Sequence, residues 1–257
     1  MNIQSSMMQA NPHFDGAALG WRYSAITRAK ADFDGLPNDD AWLVHQGPAH
    51  LDVVVIDVAT HKRRVLGSEI QNAIADTFVA ATAHAGPAEI IAAAHFRLTT
   101  LLRERDARGV ACLLIVRLLA DGRCEWAHVG DTVLIRWQSA KWWRRSILRP
   151  LNTRHRRGHG LTQCVGSERK GGPLIEEGCV VATPGERLLL ASDGVFHDAI
   201  TLRAIHQWVD AHHRQRDVLL PRDLAEKIEA EARMTQPDAD DTTLIVIERM
   251  TRRTPPC

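Results

Sequence analysis

The stretch VVVIDVATH, residues 53–61, places a carboxylate directly at the end of a strongly apolar run. Four consecutive β-branched residues, from Val53 to Ile56, predict a strand that is buried on both of its faces. Asp57 follows at once, and a charge beside such a strand is costly unless a partner neutralises it. The sequence therefore predicts a partner for Asp57. The rest of the chain indicates whether that partner is a cation.

The overall composition is that of an ordinary globular protein. The chain has 257 residues, of which 45% are hydrophobic and 25% are charged, and its formal net charge is +1. This balance gives no reason to expect nucleic acid or a membrane as a partner. No apolar run approaches the roughly 20 residues that span a bilayer. The start of the chain also lacks the basic segment followed by an apolar one that is typical of a signal peptide. We therefore expect a cytoplasmic protein.

The five cysteines are scattered along the chain and never have a CxxC spacing. That pattern argues against a disulfide framework and against a thiolate zinc site. Reduced, structural thiols are the expected state.

Apolar periodicity predicts an α+β order of elements. Strand patterns occur early, in the middle and at the end of the chain, and helical spacing appears in two pairs of segments between them. Ser68 is the predicted cap of the first helix. The four predicted helices cover residues 68–85, 88–105, 199–213 and 221–234. We expect a flexible N-terminal segment at 1–20, a single domain at 21–250 and a tail at 251–257.

Several aspartates stand at the ends of apolar runs. Asp57 and Asp193 end such runs, the pair Asp240-Asp241 precedes a final one, and Asp131 follows Gly130 at a reversal. If these carboxylates converge, they must either raise their pKa values or bind cations. Hard oxygen ligands favour Mg²⁺ or Mn²⁺, and such ions can activate water against a phosphoryl group. The residues alone thus indicate a Mg²⁺- or Mn²⁺-dependent phosphoryl hydrolase.

Six short motifs, in order over about residues 22–249, resemble those of the metal-dependent Ser/Thr protein phosphatases of type 2C. They are NDDA at 38–41, the aspartate at 57, AHVGDT at 127–132, LTQCVG at 161–166, LLASDGV at 189–195 and DDTT at 240–243. The resemblance is to a bacterial, single-domain member. It implies an α+β fold, a four-layer α-β-β-α sandwich with two central antiparallel sheets.

The resemblance also implies a set of metal ligands. Asp57 would bridge two Mn²⁺ or Mg²⁺ ions, and a third ion is left open. The other implied ligands are Asp193 and Asp240 on one ion, the carbonyl of Val58 on the other, Asp39 or Asp40 through water, and Asp131 for a third ion. The implied reaction is hydrolysis of phosphoserine or phosphothreonine in a protein by metal-activated water, opposed to a Ser/Thr kinase. Asp241 is interpreted as a residue behind the ligands.

The segment after Asp57 departs from the type 2C pattern. Where those phosphatases have Asp-Gly-x-Gly-Gly, this chain has no glycine between Asp57 and His61. A β-branched Val58 does not suit a backbone angle that requires glycine. The alternative function is therefore a pseudophosphatase with a degraded second metal site that binds phosphoproteins as a regulator. His61 is either a proton donor to the leaving group or a surface histidine.

Two cationic features remain. Arg28 is the candidate for binding the phosphate, and a surface role for it is equally open. The stretch KWWRRSILRPLNTRHRRG, residues 141–158, lies where type 2C phosphatases have a variable flap beside the active site. We interpret it as a segment that binds an acidic phosphopeptide. The alternatives are that it binds a nucleic-acid backbone or is only a solvated basic loop.

Overall fold

Two six-stranded antiparallel sheets form the centre of the molecule. The computed structural model describes the following residues: 2–5, 13–29, 38–60, 66–138, 147–157, 160–168, 171–196, 203, 220–235 and 241–251.

The first sheet contains, in spatial order, β1 (Asn2–Ser5), β4 (Asp40–Gln46), β5 (His50–Thr60), β6 (Gly109–Leu119), β7 (Arg123–Val129) and β12 (Glu176–Val181). The second contains β2 (His13–Ala18), β3 (Trp21–Arg28), β14 (Thr242–Arg249), β13 (Arg187–Ala191), β8 (Val133–Gln138) and β9 (Ile147–Pro150). A small hairpin pairs β10 (Arg156–Arg157) with β11 (Gly160–Leu161). The described helices are α1 (Gly67–Ala81), α2 (Pro87–Glu104) and α3 (Pro221–Thr235).

Strand β5 shows why the sheets form a sandwich. Its residues alternate between two faces, so Val53 and Val55 pack in the layer between the sheets. Val54 and Ile56 point the other way, into the layer beneath α1 and α2. The predicted burial of this strand on both faces is confirmed.

Helix α3 covers the outer face of the second sheet. Its apolar side chains, among them Leu224 and Ile228, join one buried cluster with Leu244 and Val246 of β14. Helices therefore lie outside both sheets, and the predicted α-β-β-α sandwich is confirmed.

Two sequence predictions are wrong in detail. Residues 2–5 and 13–18, expected to be flexible, are strands paired with β4 and β3. Helix α1 begins at Gly67, so Ser68 is not its cap; instead the carboxylate of Glu69 accepts the N–H of Leu66 at 3.1 Å. The strands at 2–5 and 13–18 lack the apolar alternation that is typical of a strand. Pairing with a neighbouring strand determines their conformation instead.

Other predictions fare as follows. The predictions for α1, α2 and α3 are confirmed within a few residues. The helix predicted at 199–213 lies outside the described residues except for position 203, and so does most of the tail. No described helix is long and apolar enough to cross a bilayer.

A buried ion pair stabilises the end of β5 that lies far from Asp57. Asp52 is fully buried and stands opposite Arg117 on β6. The guanidinium binds both carboxylate oxygens, at 2.7 and 2.8 Å, and donates a further bond to the carbonyl of Thr82 at 3.0 Å. The hydroxyl of Thr82 also donates to Asp52. Asp52 is thus neutralised within the fold.

Arg117→Leu should destabilise the protein by about 3–5 kcal/mol, because it leaves a buried carboxylate without its cation. The free energy of unfolding in urea measures this loss. The double variant Asp52→Leu/Arg117→Leu should recover part of it, since it removes both charges. The matched control is Arg123→Leu, which removes the exposed ion pair with Asp121. It should leave the free energy of unfolding unchanged. A stable Arg117→Leu protein would contradict this account.

Candidate metal centre

One end of the sandwich collects the carboxylates that the sequence singled out. Asp40, the first residue of β4, lies in register with Asp57 of β5. On the second sheet, Asp193 follows the end of β13, and Asp241 directly precedes β14, the antiparallel neighbour of β13. Asp131 lies in the turn between β7 and β8. Both sheets therefore contribute to one acidic site.

The electrostatics of Asp40 show how closely these groups approach one another. Its side chain is only 5% exposed, and burial raises the pKa of this carboxyl well above its ordinary value. The nearby charge of Asp57 raises the pKa further, as do those of Asp241 and Asp193, while a hydrogen bond with Ser192 partly offsets the rise. The oxygen Oδ2 of Asp40 has no hydrogen-bond partner among the described residues. Such a site must take up either protons or cations.

Divalent cations with a preference for oxygen fit this donor set. A nearly buried carboxylate oxygen that lacks a partner and lies among other carboxylates is a favourable ligand for Mg²⁺ or Mn²⁺. Such a cation neutralises the clustered negative charge. The structure thus brings Asp40, Asp57 and Asp193 together as residues that could hold metal, with Asp241 beside them.

A second layer of polar groups orients the ligands. The side chain of Asn38 accepts the N–H of Asp40 at 2.8 Å and donates to the hydroxyl of Thr27 at 2.8 Å. Thr27 in turn bonds Thr243 at 2.7 Å, which ties β4 of the first sheet to β3 and β14 of the second. Gln71 of α1 donates to the carbonyl of Asn38 at 3.1 Å. The conformation of the NDDA motif is therefore set by both sheets and a helix.

Asp39 is held by a second set of contacts. Its N–H donates to the carboxylate of Asp241 at 2.6 Å, which agrees with a role for Asp241 behind the ligands. Gly67, the first residue of α1, lies directly against its side chain. A Cβ added at Gly67 would lie only 2.0 Å from Oδ1 of Asp39. The start of α1 thus fits this aspartate only because residue 67 is glycine.

The segment after Asp57 continues the strand. Val58, Ala59 and Thr60 remain in β5, in register with residues 109–111 of β6. The described non-glycine residues with positive φ are Leu19 and Asp106, so Val58 needs no glycine-like angle. The loss of the glycines therefore does not strain the backbone as far as Thr60, because β-branched residues favour the extended strand.

Several proposed site residues stay predictions. Asp240 and His61 lie outside the described residues. Arg28 ends β3, is 48% exposed and pairs with Glu229 of α3 at 3.5 Å, so its role in binding phosphate remains a prediction. The metal roles of Asp131 and of the carbonyl of Val58 likewise remain predictions.

Cys112 lies beside the acidic site, a position that the sequence did not predict. This residue stands opposite Asp57 in the ladder between β5 and β6, and its buried thiol donates to Oδ1 of Asp131 at 3.1 Å. Burial raises the pKa of the thiol well above its ordinary value, and Asp57 and Asp131 raise it further. Within the sequence, Cys112 looks like any cysteine of an apolar strand. Only the register of the strands reveals its position.

Comparison with known structures establishes the fold. The serine/threonine phosphatase of S. agalactiae matches with a TM-score of 0.68 at 15% identity, over 89% of this chain and 99% of that chain. The catalytic domain of the phosphatase PstP in complex with two manganese ions matches with 0.63 at 15%, over 90% and 99%. RsbX in complex with magnesium matches with 0.56 at 16%, over 96% and 99%. No curated protein matches the chain significantly in sequence.

The chain therefore has the fold of the type 2C phosphatases, and the resemblance seen in its motifs is confirmed. The family model for stage II sporulation protein E (SpoIIE) matches residues 65–250. The chain belongs to the SpoIIE family. That match begins after Asp57, so the evidence for the first part of the acidic site comes from the structure.

Gly67→Ala should weaken the binding of Mn²⁺ by about tenfold, the lower end of the range for a disturbed residue behind metal ligands. The reason is that the new methyl group must displace Asp39. Calorimetric titration of the chelator-treated protein with Mn²⁺ measures the change. Gly86→Ala is the matched control, because a Cβ at this second helix start meets only Glu89, at 3.8 Å. Equal affinities in the two variants would refute the role of Gly67.

Proposed function

We propose that this protein is a metal-dependent serine/threonine phosphatase that hydrolyses phosphoserine or phosphothreonine in proteins. The observation that carries the proposal is the convergence of Asp40, Asp57, Asp193 and Asp241 at one end of a type 2C sandwich. The resemblance of the six motifs supports the same reaction. Solved neighbours with this fold are themselves described as serine/threonine phosphatases.

The cations proposed here are Mn²⁺ or Mg²⁺, which are also the ions named for two neighbours. When bound, such ions supply an acidified water and polarise the phosphoryl group. The residues of this chain have distinct tasks in the proposed site. Asp57 and Asp193 hold the cations, and Asp240 is assigned the same task. Asp40 is oriented by Asn38 and keeps a free oxygen toward the site.

Two further residues hold the loop of Asp193 in place and bind the phosphate. Ser192 ties the loop that carries Asp193 to β14, since its N–H donates to the carbonyl of Thr243 at 3.0 Å and its hydroxyl accepts the N–H of Thr243 at 2.9 Å. Arg28 is the proposed phosphate contact, because it ends β3 beside β14, in register with Thr242. The two hydrogen bonds of Ser192 anchor the residue before Asp193 to β14 and so help to preorganise the ligands.

The proposed substrate class is a phosphorylated protein, modified by an opposing Ser/Thr kinase. The near-neutral charge of the chain agrees with a protein substrate and gives nucleic acid no special attraction. We also propose that residues 21–250 act as one domain and that the protein works in the cytoplasm.

Asp193→Asn should lower the hydrolysis of a phosphothreonine peptide by more than about 100-fold, beyond the range of changes behind the ligands. Phosphate release is measured with Mn²⁺, with Mg²⁺ and after chelation. The unmodified protein should lose its activity on chelation and regain it with Mn²⁺. Asp121→Asn, at an exposed hairpin, is the matched control and should keep full activity. Turnover without metal would refute the proposed function.

A further inference from the structure

Three groups of histidine, cysteine and acidic side chains in the described residues have the spacing of metal ligands. In two of them, described contacts already occupy some of the ligand atoms, whereas Nε2 of His45, Nε2 of His50 and both ring nitrogens of His128 have no hydrogen-bond partner among the described residues. In the first, Asp52 already binds Arg117 and the hydroxyl of Thr82, so its oxygens are occupied. In the second, Nδ1 of His155 accepts the N–H of Gly130 at 3.2 Å, so the proton of the neutral ring lies on Nε2, which faces Glu176 at 3.8 Å. The third group differs in containing a thiol.

This third group consists of Asp57, Cys112 and Asp131. One ligand atom from each residue lies within 4.8 Å of the others, and Sγ of Cys112 is 3.1 Å from Oδ1 of Asp131. Around a tetrahedral ion with ordinary sulfur and oxygen bond lengths, neighbouring ligand atoms are about 3.4–3.6 Å apart. The pair at 3.1 Å is slightly closer than this range, and the other separations, which are at most 4.8 Å, would have to approach it for the group to enclose one ion.

The backbone fixes the thiol in this place. Gly130, with a φ of +111°, crosses directly over Cys112, and a Cβ at this glycine would lie 2.4 Å from Sγ. Only glycine allows so close an approach, and the crossing chain prevents the thiol from turning away. On the other side of Asp57, Asp40 supplies a buried oxygen without a described partner. Negative charge thus surrounds a thiol that is held in position.

We propose that Cys112, together with Asp57 and Asp131, forms a binding site for a thiophilic divalent cation of the class of Zn²⁺, which inhibits the phosphatase. Soft thiolate ligands select such ions over Mg²⁺ and Mn²⁺. Binding replaces the S–H bond of Cys112 with a bond from sulfur to the metal, and the proton leaves to solvent. Because Asp57 is shared, the thiophilic ion competes with the activating ions. The inhibition rests on the proposed function, whereas the binding does not.

Cobalt is the probe for this site, since a thiolate bound to Co²⁺ gives a near-ultraviolet charge-transfer band. The starting protein is the full chain with Cys179→Ser and Cys257→Ser, which removes an exposed thiol and one in the tail. Chelator-treated protein should develop the band with Co²⁺ and lose it when Zn²⁺ is added. The further change Cys112→Ser should abolish the band. Cys164→Ser, at a second buried thiol whose pKa Asp131 also raises, is the matched control and should retain it.

Zinc inhibition supplies the second readout. Half-inhibition of Mn²⁺-dependent turnover should need about tenfold more Zn²⁺ after Cys112→Ser, because a soft ligand is lost. The proposal would be overturned if the starting protein showed no band, or if the band were lost in Cys164→Ser but kept in Cys112→Ser. Normal Mn²⁺-dependent turnover in the same protein would show that the proposed function still holds. A band without any turnover would instead refute the proposed function.

Cadmium magnetic resonance of the starting protein tests the site without a variant at Cys112. A chemical shift typical of one sulfur among oxygen ligands is expected. A shift typical of oxygen ligands alone would overturn the proposal even if Cys112→Ser fails to fold.

Discussion

Two carboxylates stand directly opposite each other on neighbouring strands: Asp40, which is buried, and Asp57, which is half-buried. Like charges in such a position destabilise a sheet, and low exposure strengthens their repulsion. Asp193 and Asp241 add to it from the second sheet. The fold tolerates this arrangement because cations or protons can enter between the sheets, and the surrounding contacts keep the carboxylates from moving apart. The site is therefore a local cost to stability, which the proposed metal binding would offset.

Strand β5 carries two aspartates that illustrate two solutions to one problem. Asp52 and Asp57 are five residues apart, about 17 Å along an extended strand. The neighbour of Asp52 on β6 is Arg117, a cation built into the fold. The neighbours of Asp57 are Asp40 on one side and the thiol of Cys112 on the other. The first carboxylate is neutralised by a cation of the fold, whereas the second is the one to which the proposed function assigns metal ions.

The missing glycines after Asp57 have a different consequence from the one that the motif suggests. Glycine permits a turn, but Val58 and its successors extend β5 as far as Thr60, because β-branched residues favour the extended backbone. Loss of the glycines therefore does not by itself strain this edge of the site. The same ladder places Cys112 beside Asp57.

The sequence by itself determined the long strands, the helices with regular apolar spacing and the order of the acidic motifs, because these depend on residues close together in the chain. Periodicity therefore predicted β5, α1 and α2, and the motifs singled out Asp40, Asp57 and Asp193, which the structure brings to one end of the sandwich. Only the tertiary structure decided the pairings of Asp40 with Asp57 and of Asp57 with Cys112, and the fit of Gly67 against Asp39. It likewise decided the N-terminal strands. Strand register and close packing join residues far apart in sequence, and no local pattern of side chains specifies which of them will meet.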